Sequence, residues 1–430
     1  MTDNKVIKQK FKSSIRRGTG EAHFIMQQNP NIDFSTDIIK ASLTNYAYDG
    51  QSEGSRALYI SELISFSKQQ DKIHNAILQG LTDEQKDTWA LVQLFDLAAF
   101  FAKQGNKKAR QAIYKRFFKK IINGSDWCGY ASIIRLDGLE GLKYIATTIG
   151  KFLEKSPDNW QDSSIIQHFQ KDYPNIKAQE ELEKASKENP FIKIYLDNIK
   201  QTEDGRKDYK KPVVVINYET ITERINNKAR RFPINPFEAK RIKKADIKKL
   251  ANDFLKETDR IKLEKYMKVF DRVKYPYDYS PILEIVKGKN HKNDRLVEFA
   301  AGALKYFSGN DIRKFAIECL STTKNLSDYL DLLVSNYKKG DYKLLTTIAN
   351  NCKSEDTIHS IVYGYINIYR ANKTKECKEP LEAVYEKLTC GIHRKDIVKI
   401  LIDNKVLSKQ IKDEIKYDSF EEVRQLNFKK

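Results

Sequence analysis

The sequence predicts an all-α protein in which an N-terminal helical unit precedes an α-solenoid of stacked helix pairs. Three observations support this fold class. Apolar residues recur at spacings of three and four along most of the 430 residues, as they do on one buried face of a helix. Glycine and proline, which interrupt regular elements, number only 18 and 10. Such scarcity favours long helices joined by short turns over all-β folds, whose turns need more glycine.

The N-terminal region contains two strong helical patterns. Residues Trp89–Phe101 are apolar nearly all round, which predicts a central helix buried on most of its circumference. A second pattern covers Ile133–Phe152 and is interrupted by Gly138 and Gly141. We therefore expect an N-terminal helical domain over residues 1–155.

The next segment, residues 156–211, is more polar than its flanks and holds Pro157, Pro174 and Pro190. Proline interrupts helices, so we expect a polar connector with short helices. Directly after it, Val213–Ile216 is the one convincing β-like run. A single short strand cannot form a sheet, and an extended segment pinned against the solenoid is the expected outcome.

From residue 212 to residue 430, apolar stripes alternate with short polar turns. The clearest pair of stripes lies in Asp294–Phe307 and Ile312–Leu320, and Asn310 or Asp311 can cap the second helix. No single short helix could bury its own stripe. Stacked in antiparallel pairs, the helices would share a continuous core, which predicts a repeat domain over 212–430.

This pair of stripes resembles the helix pairs of HEAT-repeat proteins. Leu296–Leu304 is similar to the first helix of that family, and Asp311–Ala316 to a second helix that opens with an aspartate and a basic residue. The resemblance is specific over about Asp246–Leu401 and is degenerate beyond that range, because the later units lack the Asp-Arg signature of the turn. It implies a scaffold for protein or nucleic-acid partners and no particular reaction.

Cysteine content and hydropathy indicate the compartment. Five cysteines form an odd, sparse set that suits free thiols in a reducing environment. The N-terminus lacks the apolar core of a signal peptide. No uncharged apolar run approaches the roughly 18 residues that a membrane helix needs. We expect a cytoplasmic protein without a membrane partner.

The net charge of +19 attracts polyanions, above all nucleic acid. An alternative explanation is codon bias, because lysine, asparagine, isoleucine and tyrosine are all abundant, as an AT-rich genome would make them. The charge alone does not decide between these two explanations.

A first basic segment, Lys103–Lys120, has no acidic residue and interleaves its cations with Tyr114, Phe117 and Phe118. Cations combined with aromatic rings suit phosphate contacts and base stacking. The alternative is a solvated helix whose phenylalanines lie in the core. The candidate nucleic-acid contacts here are Lys107, Lys108, Arg110, Lys115, Arg116, Lys119 and Lys120.

A second basic segment, Asn226–Lys249, sets nine cations against Glu238 and Asp246. Paired arginines favour bidentate contacts to phosphate or carboxylate, although the lysines could again reflect codon bias. The candidate contacts here are Arg230, Arg231, Arg241 and Lys244.

Two glycine-containing segments, 16–23 and 48–56, stand out in a chain poor in glycine. The N–H groups of Gly18–Gly20 could form an anion nest. Two helix-joining turns explain the glycines equally well, and the segment lacks the residues of a P-loop or dinucleotide site. The candidates for a polar ligand site are Arg17, Glu21, Asp49, Gln51, Glu53 and Arg56.

Signals for catalysis are weak. Asp126-Trp127 resembles the acidic and aromatic pair of the helical-repeat DNA alkylpurine glycosylases, but no further catalytic residue can be matched. Cys390 and His393 have a ligand-like spacing without residues nearby that complete a four-ligand set. The sequence therefore predicts no catalytic residue, no metal site and no cofactor.

The functional expectation is a binding scaffold that engages nucleic acid, DNA or RNA, or another polyanion through basic helical surfaces. One alternative is a protein–protein adaptor subunit whose charge is incidental. The other is an enzyme built on a helical-repeat scaffold.

Overall fold

The computed structural model describes residues 2–83, 87–118, 128–207, 215–229, 231–288, 294–322 and 326–428. Throughout these ranges the regular elements are helices, so the prediction of an all-α protein is confirmed.

The helices of the first half are short to medium in length and follow one another closely. In chain order they are α1 (Thr2–Arg17), α2 (Glu21–Gln28), α3 (Ser35–Leu43), α4 (Gly50–Glu53), α5 (Ala57–Phe66), α6 (Gln70–Thr82), α7 (Thr88–Lys103), α8 (Lys107–Arg116), α9 (Tyr130–Lys155), α10 (Ser164–Asp172), α11 (Ala178–Ser186) and α12 (Pro190–Lys207).

The second half continues in the same way. Its α-helices are α13 (Tyr218–Asn226), α14 (Pro236–Ala239), α15 (Lys244–Phe254), α16 (Arg260–Phe270), α17 (Ser280–Lys287), α18 (Arg295–Leu304), α19 (Asn310–Thr322), α20 (Ser327–Leu330), α21 (Tyr342–Asn351), α22 (Glu355–Ala371), α23 (Lys378–Tyr385), α24 (Gly391–Asp403), α25 (Lys409–Glu414) and α26 (Glu421–Arg424). Short 3-10 helices are η1 (Asp331–Leu333), η2 (Lys375–Cys377), η3 (Ile415–Tyr417) and η4 (Gln425–Phe428).

Polar side chains at the N-caps determine where many of these helices begin. Each accepts a hydrogen bond from a backbone N–H of the first turn, which has no partner inside the helix; a cap of this kind stabilises a helix by about 1 kcal/mol. Such caps are Asp49, Asp87, Asn106, Asn217, Asn235, Asp259, Asp294 and Ser354.

The chain forms two compact units. Unit 1 comprises residues 1–211, 389–392 and 409–430, and unit 2 comprises residues 212–388 and 393–408. The end of the sequence thus belongs to the same unit as its beginning.

Helix α7 is the centre of unit 1. It packs against α3, α5, α6, α8 and α9, and Leu94, Leu97 and Ala98 are fully buried. The prediction of a central helix in this segment is confirmed. An apolar circumference suits α7 because neighbouring helices cover it on several sides.

Helix α9 bends at Gly138, one of the two glycines that interrupt its sequence pattern, where a φ of 52° lies outside the helical region. Its second part packs closely on α12. The approach requires glycine at position 150, where a Cβ atom would lie 1.9 Å from the carbonyl oxygen of Phe191. The segment expected to be a connector therefore contributes α10, α11 and α12 to unit 1. It does so because Ile192, Tyr195 and Ile199 give α12 an apolar face.

In unit 2, helices pack mainly against neighbours one to three positions along the chain, such as α16 with α18 and α21 with α23. Their buried residues follow the stripes of the sequence: Leu296, Ala300 and Leu304 face the core on α18. Val213 and Val214 lie outside the described residues. Val215 is exposed, Ile216 is buried, and neither is assigned to a strand.

Among the described helices, none is both long and apolar enough to span a membrane.

Candidate nucleic-acid interface

All the charged side chains on the solvent-facing side of α8 are basic. Ala109, Ile113 and Arg116 face the core, whereas Lys107, Lys108 and Lys115 are exposed. At 3.6 residues per turn these three lysines fall within roughly 100° of the helix circumference. No ion-pair partner for them occurs in the described part of the chain. We call this trio the α8 basic face.

Two arginines of the same segment have other roles. Arg110 forms an ion pair with Asp137, which also accepts a hydrogen bond from the Tyr114 hydroxyl. Arg116 is only 5% exposed, and burial lowers the pKa of its guanidinium. Its Nη2 atom has no hydrogen-bond partner among the described residues. Arg116 therefore lies away from the exposed strip, on the same helix face as Ala109 and Ile113.

Three further candidates, Lys119, Lys120 and Arg230, lie outside the described residues, as does the Asp126-Trp127 pair.

In unit 2, two buried lysines support the loop that follows α13. Lys265 on α16 is 4% exposed, and its Nζ donates to the carbonyl oxygens of Ile225 and Asn227, at 2.9 and 2.6 Å. Lys268 donates to the carbonyl oxygen of Arg231 at 3.0 Å and pairs with Glu264 at 2.6 Å. The loop backbone is therefore attached to α16 by charge-assisted hydrogen bonds, which are stronger than neutral ones.

Helix α14 is short but firmly held. Asn235 caps it and forms a capping box with Glu238, a reciprocal pair of hydrogen bonds. Arg224 on α13 donates to Glu238 at 3.1 Å and to the carbonyl oxygen of Pro233 at 3.0 Å. Ile234 is 2% exposed and anchors the loop in the core. The Glu238 carboxylate is therefore occupied by internal contacts.

Around this framework lies a set of exposed cations that we call the unit 2 basic segment. Its members are Lys228, Arg231, Lys240, Arg241, Lys243, Lys244, Lys248 and Lys249. None of them has an ion-pair partner in the described ranges, and Lys249 lies 5.2 Å from the centre of the Tyr218 ring. The segment includes the predicted residues Arg231, Arg241 and Lys244.

Two exposed phenylalanines accompany these cations and were missed by the sequence reasoning. Phe237 has 79% of its surface exposed, and Phe232 has 45%. The Lys268 Nζ lies 4.8 Å from the centre of the Phe232 ring. The signal was present in Asn-Pro-Phe-Glu at 235–238, which is a capping box with proline at N1 and Phe237 at N2.

A third basic surface, also unpredicted, lies on α1. Lys5, Lys8 and Lys12 recur on one face and line an open cleft of about 530 Å³. Asp33 and Asp37 line the same cleft. Burial raises the pKa of Asp37, while Lys12 and Lys8 oppose that rise. The two carboxyl groups make this cleft less favourable for a polyanion than the other two surfaces.

The candidate polar-ligand residues fall into two groups in unit 1. In the first, Glu21 accepts hydrogen bonds from Ser14 at 2.5 Å and Arg17 at 2.8 Å, and Lys10 lies 2.9 Å away. Burial raises the pKa of this carboxyl, but its hydrogen bonds to Lys10 and Ser14 and the charge of Arg17 outweigh that effect and lower it.

The second group is built around the turn at 49–56. Asp49 caps α4, and the N–H of Gln51 donates to its carboxylate at 3.0 Å. Glu53 accepts a hydrogen bond from the N–H of Gly391 at 2.7 Å. Arg56 is 4% exposed and donates to the carbonyl oxygens of Arg16 at 2.7 Å and Thr389 at 2.9 Å.

Glycines 18 and 20 accommodate the C-terminal segment of the chain. A Cβ atom on Gly20 would lie 2.1 Å from the carbonyl oxygen of Glu414, and one on Gly18 would lie 2.1 Å from the Ser419 Oγ. Gly18 also has a φ of 77° and accepts a hydrogen bond from the Ser419 N–H at 2.7 Å. Its own N–H donates to Ser14. This geometry favours a structural role over an anion nest.

A partly buried cluster completes this contact between the ends of the chain. Arg424 donates two hydrogen bonds to Glu62, at 2.8 and 2.9 Å. Glu62 also lies 3.2 Å from the Nε2 of His23, whose ring stacks on Tyr417. Burial raises the pKa of Glu62, but the hydrogen bonds from His23 and Arg424 outweigh it and lower that pKa.

No protein-family model and no curated protein matches this chain.

Proposed function

We propose that this chain is a helical-repeat scaffold that binds nucleic acid through exposed lysine and arginine side chains. The observation that carries the proposal is the unit 2 basic segment. Its cations are exposed and have no ion-pair partner among the described residues, and the nearby Glu238 is occupied by Arg224 and Asn235. A group of exposed cations that outnumbers the carboxylates of Glu238 and Asp246 in this way is the electrostatic footprint of a polyanion site.

The repeat architecture is supported by the spacing of side-chain contacts. Many hydrogen bonds in each unit join residues 35 to 40 positions apart, which is close to the roughly 40 residues of a HEAT-type helix pair. In unit 1 such bonds are Tyr59 to Thr19, Tyr173 to Ile134 and Asn198 to Asn159. In unit 2 they are Lys265 to Ile225, Lys268 to Arg231, Tyr306 to Asp271, Asn372 to Val334 and Lys387 to Ala349. A stack of helix pairs produces this recurrence because each pair contacts mainly its neighbours.

The expected mode of binding is dominated by phosphate neutralisation. Lysine and arginine side chains that contact phosphates release condensed counterions, so affinity falls steeply as salt rises. Contacts to phosphate fix position but carry no base identity. We therefore expect little sequence preference.

The test is fluorescence anisotropy with labelled DNA and RNA over a series of salt concentrations. One variant carries Lys240→Gln, Arg241→Gln and Lys244→Gln, and a second carries Lys107→Gln, Lys108→Gln and Lys115→Gln on the α8 basic face. We expect the first variant to bind more weakly and with a smaller salt slope, since each lost phosphate contact removes about 0.7–0.9 from that slope. The second variant reports whether unit 1 contributes separately.

The matched control carries Lys177→Gln and Lys184→Gln, two exposed lysines that pair with glutamates three residues away. It removes charge without removing an uncompensated cation, so its affinity should stay close to that of the parent. Absence of binding by the parent at low salt, or equal weakening by all three variants, would contradict the proposal.

A further inference from the structure

We propose that Phe237 is a stacking platform for an unpaired base, so that unit 2 prefers single-stranded to double-stranded nucleic acid. This inference rests on the proposed function and names the class of nucleic acid. It comes from one juxtaposition: the most exposed large apolar side chain of the described residues, 79% accessible, lies in the middle of the unit 2 basic segment.

The cations next to the ring are positioned by the backbone. Lys240 has αR geometry, and the N–H of Arg241 donates to the carbonyl oxygen of Glu238 at 2.9 Å, so the helical turn continues past α14. Residues three and four apart are neighbours on a helical surface. Lys240 and Arg241, three and four residues after Phe237, therefore lie next to it on this surface, where they can contact phosphates adjacent to a stacked base.

The platform is also rigid, which lowers the entropic cost of binding. The N–H of Phe237 donates to the Asn235 side chain at 2.9 Å, and the adjacent Glu238 is held by Arg224. Ile234 anchors the preceding loop in the core. The exposed ring is therefore presented by a fixed backbone and contributes little to the core itself.

The charges around Phe237 favour a nucleic-acid strand over an apolar protein surface as the ligand. An apolar protein surface placed on Phe237 would bury Lys240 and Arg241 without counterions, which is costly. A single strand offers a π-face for the ring and phosphates for the two cations. In a duplex the base faces are already stacked on each other, so only the phosphate contacts remain.

The experiment compares labelled single-stranded and duplex oligonucleotides of equal length, as DNA and as RNA, with the full chain and with Phe237→Ala. We expect the variant to lose roughly 5- to 150-fold in affinity for single strands, the range found for base–aromatic stacking. Its affinity for duplex and its salt slope should be unchanged. Phe237→Trp should retain single-strand binding, and its added tryptophan fluorescence should be quenched when a base stacks on it.

The control is Tyr363→Ala, which removes another exposed aromatic side chain of unit 2, 56% accessible on α22, and should leave binding unchanged. Equal affinity of the parent and Phe237→Ala for single strands would overturn the stacking inference while salt-dependent binding still upheld the proposed function. Tighter binding of the parent to duplex than to single strands would also overturn it. If the parent binds no nucleic acid at low salt, the proposed function fails, and the inference fails with it.

Discussion

Glu414 on α25 is 4% exposed and lies close to the glycine segment of unit 1. Burial raises its pKa to about 7, and the nearby carboxylates of Glu21 and Asp418 act in the same direction. The Gln410 hydrogen bond and Arg17 oppose the rise. A carboxyl whose pKa is higher in the folded state than in the unfolded state binds its proton more tightly when folded. The contribution of Glu414 to the free energy of unfolding is therefore fully present below its ordinary pKa of 4.5. It is lost as the pH rises to about 7.

We expect Glu414→Gln to remove this pH dependence, because glutamine has the same shape and cannot ionise. The variant should match the parent near about pH 4.5 and be more stable by about 1–3 kcal/mol near pH 8, since each unit of pKa corresponds to about 1.4 kcal/mol. Urea unfolding followed by tryptophan fluorescence measures this, because Trp89 and Trp160 lie in unit 1. An equal stability difference at both pH values would contradict the prediction.

Individual residues also show which structural features a sequence pattern can predict and which it cannot. Arg116 follows Ala109 and Ile113 by seven and three residues, so counting helix phase would have predicted its burial. The partners of Arg56 could not be predicted in this way. Its guanidinium donates to a carbonyl oxygen 333 positions along the chain, and local periodicity holds no information about so distant a contact.

At the scale of elements, the N-terminus of α2 packs directly against the C-terminal segment. We expect a single methyl group added at Gly20 to push the two apart. Gly20 has an ordinary φ of −63°, so Gly20→Ala adds no backbone strain. Its Cβ would nevertheless lie 2.1 Å from the Glu414 carbonyl oxygen, a backbone atom that cannot move alone. We expect overpacking to destabilise unit 1 by about 1–3 kcal/mol.

Tryptophan-detected urea unfolding measures that change, and limited proteolysis should cut the variant sooner within residues 409–428. The control is Gly205→Ala, since a Cβ atom there meets nothing within 4 Å. Position 205 lies in helix α12, so alanine should be neutral or slightly stabilising. Wild-type stability and proteolysis in Gly20→Ala would show that the segment yields without cost.

The loop that precedes Phe237 depends on Lys265, which is only 4% exposed. Burial lowers the pKa of Lys265, and neighbouring Lys268 adds to that effect. Lys265→Met should leave the carbonyl oxygens of Ile225 and Asn227 without this donor, at a cost of about 1–3 kcal/mol. We expect the loop to move and the affinity for single strands to fall, although no exposed charge is lost. Anisotropy and amide hydrogen exchange over residues 225–232 measure both effects.

The control for that substitution is Lys262→Met on the same helix. Lys262 is 39% exposed and lies 3.8 Å from Glu257, so the variant removes the same charge without touching the loop. If both methionine variants weakened binding equally, the effect would be one of net charge and not of loop position.

For the whole molecule, the sequence correctly predicted structure wherever that structure is determined by contacts between residues close together in the chain. The stripes of α18 and α19 and the apolar circumference of α7 correctly predicted helices, because each helix buries the face that its own spacing creates. The boundaries of the two units were not accessible in this way. Unit 1 includes residues 409–430 because Gly18, Gly20 and Glu62 contact them, and those contacts join the two ends of the sequence.

Because the two ends of the sequence pack together in unit 1, we predict that deletion of residues 409–430 destabilises the N-terminal part of that unit. The deletion removes the Arg424–Glu62 pair, the Tyr417 ring on His23 and the Ser419 hydrogen bond to Gly18. It also uncovers the side chains against which Ile411, Ile415 and Val423 are buried. We expect the tryptophan-detected unfolding transition to shift to clearly lower urea concentration.

The matched control is deletion of residues 425–430, which retains Arg424 and Tyr417 and should shift that transition much less. An unchanged transition in the longer deletion would mean that residues 1–211 fold independently of the C-terminal segment, and that the glycine contacts at 18 and 20 add nothing to their stability.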